Sequence, residues 1–144
     1  MPTRRCGFAF LGWLAVAGAA APGAGAIAAQ PFDGTWDVVI YCARAPDGAG
    51  GYRWHFQAQV REGALLGQYH QPGANASGTL SGQIEPDGHA LLSMVGRTGR
   101  TEYTVGHVQP GTPFHYTATA RFDARSGSGQ RNELRACSLS FSKI

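Results

Sequence analysis

The stretch that decides the fold is residues 52–61, which read YRWHFQAQVR. Apolar and polar side chains alternate strictly along it, with the apolar set at Tyr52, Trp54, Phe56, Ala58 and Val60. A period of two residues places the two sets on opposite faces of a β-strand, whereas a helix would need a period near 3.6. The stretch therefore predicts a strand with one buried and one solvated face, which is typical of antiparallel sheets.

The same alternation recurs along most of the chain. Glu62-Gly63 predicts a two-residue hairpin turn into a strand over Ala64–His70. Further strands are predicted over residues 33–42, 78–84, 89–95, 100–108, 114–122 and 133–142, and the polar Gly/Ser stretch 124–132 is predicted as a loop. The chain contains 21 glycines among 144 residues, which argues against a helical bundle. We therefore expect an all-β domain of eight successive antiparallel strands, arranged as a sandwich or as an up-and-down barrel.

The N-terminal segment has the pattern of a secretory signal peptide. Arg4 and Arg5 precede an apolar run over residues 8–21, and Ala26-Ile27-Ala28 matches a small-x-small cleavage site. The run is shorter than the roughly 20 residues that a membrane-spanning helix needs. We expect residues 1–28 to be removed, and residues 29–144 to form a single periplasmic or secreted domain with no membrane span.

The charge balance argues against a nucleic-acid partner. The formal net charge is +3, and Arg4 and Arg5 supply two of these three excess charges. The remaining basic residues are scattered or paired, as at Arg97 and Arg100, whereas nucleic-acid binding needs a clustered basic face.

Cys42 and Cys137 remain after Cys6 leaves with the signal peptide. An even number of cysteines in an exported protein most simply forms a disulfide, and two cysteines without CxxC spacing make a poor zinc site. By parity, both cysteines lie on the apolar faces of their strands, the first and the last. Antiparallel pairing of Cys42 with Cys137 sets Ile40 opposite Leu139 and Val38 opposite Phe141, so that every pair is apolar.

This register favours the barrel over the sandwich. A bridge between the inward faces of the first and last strands is the expected result of barrel closure, which also removes unpaired sheet edges. We therefore predict an all-β, eight-stranded antiparallel up-and-down β-barrel closed by a disulfide. The bridge would enclose about 95 residues and contribute roughly 4–5 kcal/mol in the chain-entropy treatment.

The first strand begins with Phe32-Asp33-Gly34-Thr35-Trp36. The triplet Gly34-Thr35-Trp36, at the start of an eight-stranded meander, resembles the Gly-x-Trp motif of the calycin superfamily, which includes avidin-like and lipocalin-like barrels. The resemblance implies that the glycine permits a tight start to the strand and that the tryptophan plugs one end of the barrel. The pattern is also similar to small exported proteobacterial proteins of unassigned function. Residues 37–40 differ from the polar residues with which avidin-like proteins bind biotin.

Aromatic side chains are the main candidates for a binding site. Most of them face inward by parity, and three tyrosines bring hydroxyl groups that a dry core seldom accommodates without partners. Inward Gly67 and Gly82 would leave volume. An eight-stranded barrel can be filled by its side chains or can hold one small ligand, and the sequence leaves both alternatives open. The predicted ligand-lining residues are Trp54, Phe56, Tyr69, Tyr103 and Tyr116.

The sequence offers no constellation typical of an enzyme. Neither an inward pair of carboxylates for acid–base chemistry nor an activated serine or cysteine can be placed. His55 falls opposite His70 if the hairpin continues in register, so the two imidazoles could reach one metal ion. Two histidines on a solvated outer face, with no third ligand at matching spacing, are the simpler interpretation. We expect no catalytic activity, no cofactor and no metal site.

Two functions of different classes remain. The favoured one is non-enzymatic binding of a small, partly apolar ligand in the barrel. The alternative is a protein-interaction module, such as an inhibitor or sensor domain. It would contact a protein partner through the Gly-rich loops predicted at residues 43–51 and 125–132, which we expect to be mobile enough to adapt.

Overall fold

Eight strands form a closed antiparallel barrel in the computed structural model, which describes residues 30–73 and 75–144. Each strand pairs with the next along the chain, and β8 pairs with β1. The strands are β1 (Gly34–Cys42), β2 (Tyr52–Arg61), β3 (Ala64–His70), β4 (Ser77–Ile84), β5 (His89–Arg97), β6 (Pro113–Phe122), β7 (Ser126–Arg131) and β8 (Cys137–Lys143). The predicted fold class is confirmed, whereas the predicted signal peptide over residues 1–28 lies outside the described residues.

The hairpin between β2 and β3 forms as the sequence predicts. Its turn residues Glu62 and Gly63 have φ values of 52° and 78°, the left-handed pair that a type I′ turn requires. The Asp33 carboxylate accepts their backbone N–H groups at 2.9 and 3.0 Å. The hydrogen bonds from Gly63 and Glu62 hold the pKa of the Asp33 carboxyl below its usual value. Asp33, the residue before β1, thereby stabilises the turn between β2 and β3.

β8 closes against β1 in the register that the cysteines predict. Cys42 faces Cys137, Ile40 faces Leu139 and Val38 faces Phe141. The two sulfur atoms are bonded at 2.06 Å. All six of these side chains are buried on the inner face of the barrel.

One end of the barrel, hereafter the closed end, is filled by Phe32, Trp36, Phe122 and Phe141. The Trp36 side chain has no exposed surface, and its indole Nε1–H donates to the backbone carbonyl of Phe32 at 2.8 Å. The Trp36 and Phe122 rings meet edge to face, with centroids 5.4 Å apart. Trp36 therefore plugs the barrel as the sequence resemblance implies. The loops that follow β1, β3, β5 and β7 surround the opposite end, hereafter the open end.

The prediction of a strand over residues 100–108 is wrong. This segment forms two single-turn 3₁₀ helices, Thr101–Tyr103 and Val105–His107. Local hydrogen bonds favour the turns, since the Thr104 hydroxyl donates to the Arg100 carbonyl at 3.1 Å. Gly106 and His107 adopt φ values of 77° and 48°, which an extended strand cannot contain. Within the described part of the chain, no helix has the length and apolar character needed to cross a membrane.

The prediction of a loop over residues 124–132 is also wrong, because Ser126–Arg131 is β7. Its serines face outward, while Gly127 and Gly129 face the interior. A Cβ atom at Gly127 would lie 2.7 Å from the Phe122 ring, so the large side chain of a neighbouring strand occupies that space. The last strand accordingly begins at Cys137 and not at residue 133. The two errors offset each other, so the strand count of eight and the antiparallel closure are unchanged.

The disulfide is expected to contribute a large share of the stability. Replacing both partners, Cys42→Ser with Cys137→Ser, should lower the free energy of unfolding by roughly 2–5 kcal/mol, because the unfolded chain regains the freedom of a long loop. Urea denaturation of the mature domain measures this change. The wild-type domain under reducing conditions is the matched control and should shift to the same midpoint. Identical midpoints for the oxidised wild type and the double variant would contradict the assignment.

Candidate ligand-binding site

A cavity of about 510 Å³ lies inside the open end of the barrel. Below it the interior is solid, with Leu80, Leu92 and Met94 lacking any exposed surface. The two alternatives left open by the sequence, a filled core and a hollow barrel, therefore both occur at different depths.

Glycines on the inner wall allow aromatic rings to lie against the sheet and leave the centre of the barrel open. A Cβ atom at Gly78 would lie 2.9 Å from the Trp54 ring, and one at Gly96 would lie 2.9 Å from the Phe114 ring. Real Cβ atoms do not approach ring carbons this closely. The two glycines therefore position the aromatic walls of the cavity.

The walls are formed by a cluster of aromatic rings. The rings of Trp54 and Tyr69 stack with centroids 4.2 Å apart and planes inclined by 16°. The ring centroids of Phe114 and Tyr52 lie 6.3 and 5.5 Å, respectively, from that of Trp54. All four side chains line the cavity. A flat apolar molecule would find a matching surface here.

The five predicted lining residues fall at different depths. Trp54 and Tyr69 line the cavity, as does Tyr103, although Tyr103 belongs to a 3₁₀ turn at the mouth and is 41% exposed. Phe56 and Tyr116 do not line the cavity. Phe56 lies in the buried core, with its ring centroid 6.3 Å from that of Tyr69. Tyr116 also belongs to the buried core, with 1% of its surface exposed, and its ring stacks on that of Phe114.

Arg131, which sequence reasoning missed, points into the barrel from the end of β7. It follows Gly127 and Gly129 in the inward parity and faces the inward Ala118 of β6. Its guanidinium carbon lies 4.0 Å from the centre of the Tyr116 ring, a cation–π contact. The alternation of Ser126, Ser128 and Gln130 on the outer face is the sequence signal that could have revealed this inward position.

Burial affects the titration of both groups. Desolvation lowers the pKa of the Arg131 guanidinium, opposed by the nearby Tyr116 and Tyr52. Desolvation also raises the pKa of the Tyr116 hydroxyl far above its usual value. An arginine does not lose its proton in a protein, so the cavity contains a permanent, partly desolvated positive charge beside neutral tyrosines.

Arg135, the second arginine that the sequence did not indicate, holds the open end together. Its guanidinium is buried and donates to the backbone carbonyls of Ala43, Gly50 and Tyr103. Asp47 adds a further tie, since its carboxylate accepts the Gly106 N–H at 2.8 Å. The loop over residues 43–51, predicted to be mobile, is therefore hydrogen-bonded to its neighbours.

The predicted pairing of His55 with His70 does not occur. The ladder between β2 and β3 ends at Ala58 and Gly67, so the two strands are not paired nearer the open end. The His55 Nε2 atom instead lies 2.7 Å from a carboxylate oxygen of Asp37 on the neighbouring strand β1. Among residues 30–73 and 75–144, no group of three or more metal-ligating side chains is placed to hold an ion.

Comparison with known proteins gave no match to a family profile, to a curated protein or to a solved structure. The resemblance to calycins therefore rests on Gly34-Thr35-Trp36 and on the barrel topology.

Arg135→Met should loosen the open end. The substitution leaves three carbonyl groups without their donor, and we expect the free energy of unfolding to fall by roughly 1–3 kcal/mol. Faster hydrogen exchange should be confined to the loops after β1 and β5. Arg61→Met, which removes an exposed arginine from β2, is the matched control. Equal unfolding midpoints and exchange rates in the two variants would show that Arg135 does not tie the loops.

Proposed function

We propose that this chain is an exported, non-enzymatic binding protein that holds a small, partly apolar ligand in the open end of its barrel. The observation that carries the proposal is the cavity of about 510 Å³ with aromatic walls. Sites for small ligands usually measure roughly 300–1,000 Å³ and combine apolar walls with a few polar groups.

The hydrogen-bonded loops around the open end support the interpretation of the cavity as a binding site and not as a packing defect. The side chains of Arg135 and Asp47 tie the loops around the mouth through hydrogen bonds to backbone groups. A cavity whose walls are already ordered requires little further ordering when a ligand binds, which favours affinity. The stacked Trp54 and Tyr69 rings add a preformed flat surface.

Export is part of the same proposal. The Cys42–Cys137 disulfide is of the kind that persists in oxidising compartments. Together with the predicted signal peptide over residues 1–28, it supports a periplasmic or secreted location. A calycin-like origin is supported by the position of Gly34-Thr35-Trp36 and by the plug that Trp36 forms at the closed end.

The alternative, a protein-interaction module acting through its loops, receives less support. Most of residues 125–132, one of the two expected loops, is a strand in the barrel wall, since β7 spans Ser126–Arg131. Residues 43–51, the other, are held by Arg135 and bury Ala45 and Ala49. Neither segment has the freedom to adapt to a partner that the alternative assumes.

The uncharged dye N-phenyl-1-naphthylamine tests the cavity directly. We expect the mature wild-type protein to bind one molecule with a saturable, blue-shifted rise in dye fluorescence. Val108 lines the cavity, so Val108→Trp should fill it and weaken binding by roughly tenfold or more, the effect of losing about 1.4 kcal/mol. Val95→Trp, on the exposed outer wall of β5, is the matched control and should bind as the wild type does.

Urea denaturation of both tryptophan variants establishes that they are folded. Absence of saturable binding by the wild type would overturn the proposed function. Equal loss of binding in the Val108 and Val95 variants would show that the dye binds outside the cavity, which would also overturn the proposed function.

A further inference from the structure

Arg131 is a half-buried cation that lines the cavity, and its guanidinium makes no side-chain hydrogen bond within the described part of the chain. Among the described residues its Nε–H has no hydrogen-bond partner although the atom is shielded from solvent, and the same holds for the Nε–H of Arg135 and the hydroxyl of Tyr116. Native proteins rarely leave a buried donor without an acceptor, and those that occur call for an explanation. The cation–π contact with Tyr116 fixes the guanidinium in place but accepts none of its hydrogen bonds.

Glu133 is the nearby negative charge that acts on Arg131, but within the described residues it does not form an ion pair with it. Among the described residues, the cavity wall contains Arg53, Arg100, Arg131 and Arg135 and no aspartate or glutamate. The ion pairs of the described chain include Arg100 with Glu102, but none involves Arg131. Glu133, two residues away, is engaged elsewhere, because its carboxylate accepts the Thr117 N–H at 2.8 Å and the Thr117 hydroxyl at 2.6 Å.

We propose, on the basis of the proposed function, that the ligand is a flat apolar acid whose carboxylate binds Arg131. The terminal Nη groups of the guanidinium, and not its shielded Nε–H, would donate to the carboxylate oxygens, while the body of the ligand lies against Trp54, Tyr69 and Phe114. An arginine fork matches the two oxygens of a carboxylate in shape and in charge. The three parts required, an unpaired cation, an aromatic wall and enclosed volume, meet in one cavity.

A monoanion matches this site better than a phosphate does. Of the three other arginines in the wall, Arg135 donates to three backbone carbonyls, Arg100 pairs with Glu102, and Arg53 is exposed on the outer face of β2. Arg131 is therefore the main free positive charge inside the described cavity. A doubly charged group would retain an uncompensated charge beside apolar rings, which is unfavourable. Tyr116 acts as a positioning residue, because the face of its buried ring contacts the Arg131 guanidinium.

Isothermal titration of the mature, disulfide-bonded protein with 2-naphthoate and 2-naphthamide tests the assignment. The two probes share one ring system and nearly one shape and differ in charge. We expect wild-type protein to bind naphthoate roughly 10- to 100-fold more tightly than naphthamide, the effect of one desolvated, charge-assisted contact. Arg131→Met should abolish the difference and leave naphthamide binding unchanged, and Arg131→Lys should retain part of it. Arg61→Met, which removes an exposed arginine at the closed end of the barrel, is the matched control and should behave as the wild type.

The outcomes separate the two proposals. Binding of naphthamide and of the uncharged dye, without a preference for naphthoate, would overturn the anion site and leave the proposed function standing. A preference that persists in Arg131→Met would also overturn it, since another group would then hold the carboxylate. Failure of the uncharged dye to bind, with or without failure of the two naphthyl probes, would overturn the proposed function itself. Should Arg131→Met not fold, the wild-type ratio and the Arg131→Lys variant decide the question.

Discussion

The pairing of β8 with β1 is the constraint on which the rest of this structure depends. It converts eight strands into a closed wall with no free edge, and the Cys42–Cys137 bond secures it. Closure also fixes which residues face inward on every strand, because a shift of one residue would turn each side chain to the other face. The cavity, its aromatic walls and the inward direction of Arg131 all follow from that single register.

The two ends of the barrel use their inward positions differently. At the closed end, Trp36, Phe122 and Phe141 fill the interior, and Asp33 joins the first strand to the turn of the next hairpin. At the open end, glycines replace large side chains on the wall, so that aromatic rings lie against the sheet. The unfilled space at this end contains a cation that has no ion-pair partner among the described residues, which supports a negatively charged ligand as its occupant.

The sequence predicts the closed end and the closure well because both depend on parity. The pairs Cys42–Cys137, Ile40–Leu139 and Val38–Phe141 follow from alternation alone. The strand assigned to residues 100–108 was wrong because Tyr103 and Val105 mimic alternation while local hydrogen bonds form turns. β7 was missed because its glycines and serines are typical of a linker, and the role of Gly127 depends on the Phe122 ring of a neighbouring strand. Arg131 was missed with it, and Arg135 has no local signal, since its acceptors come from separate loops.

Native mass spectrometry of the protein purified from its natural source, beside its Arg131→Met variant produced in the same way, tests the central claim most directly. We predict that the wild-type protein retains a small acid, released on denaturation and seen as a fixed mass increment, and that the variant does not. Identical spectra for the two proteins, with or without an increment, would contradict a ligand held through Arg131 in the open end of the barrel.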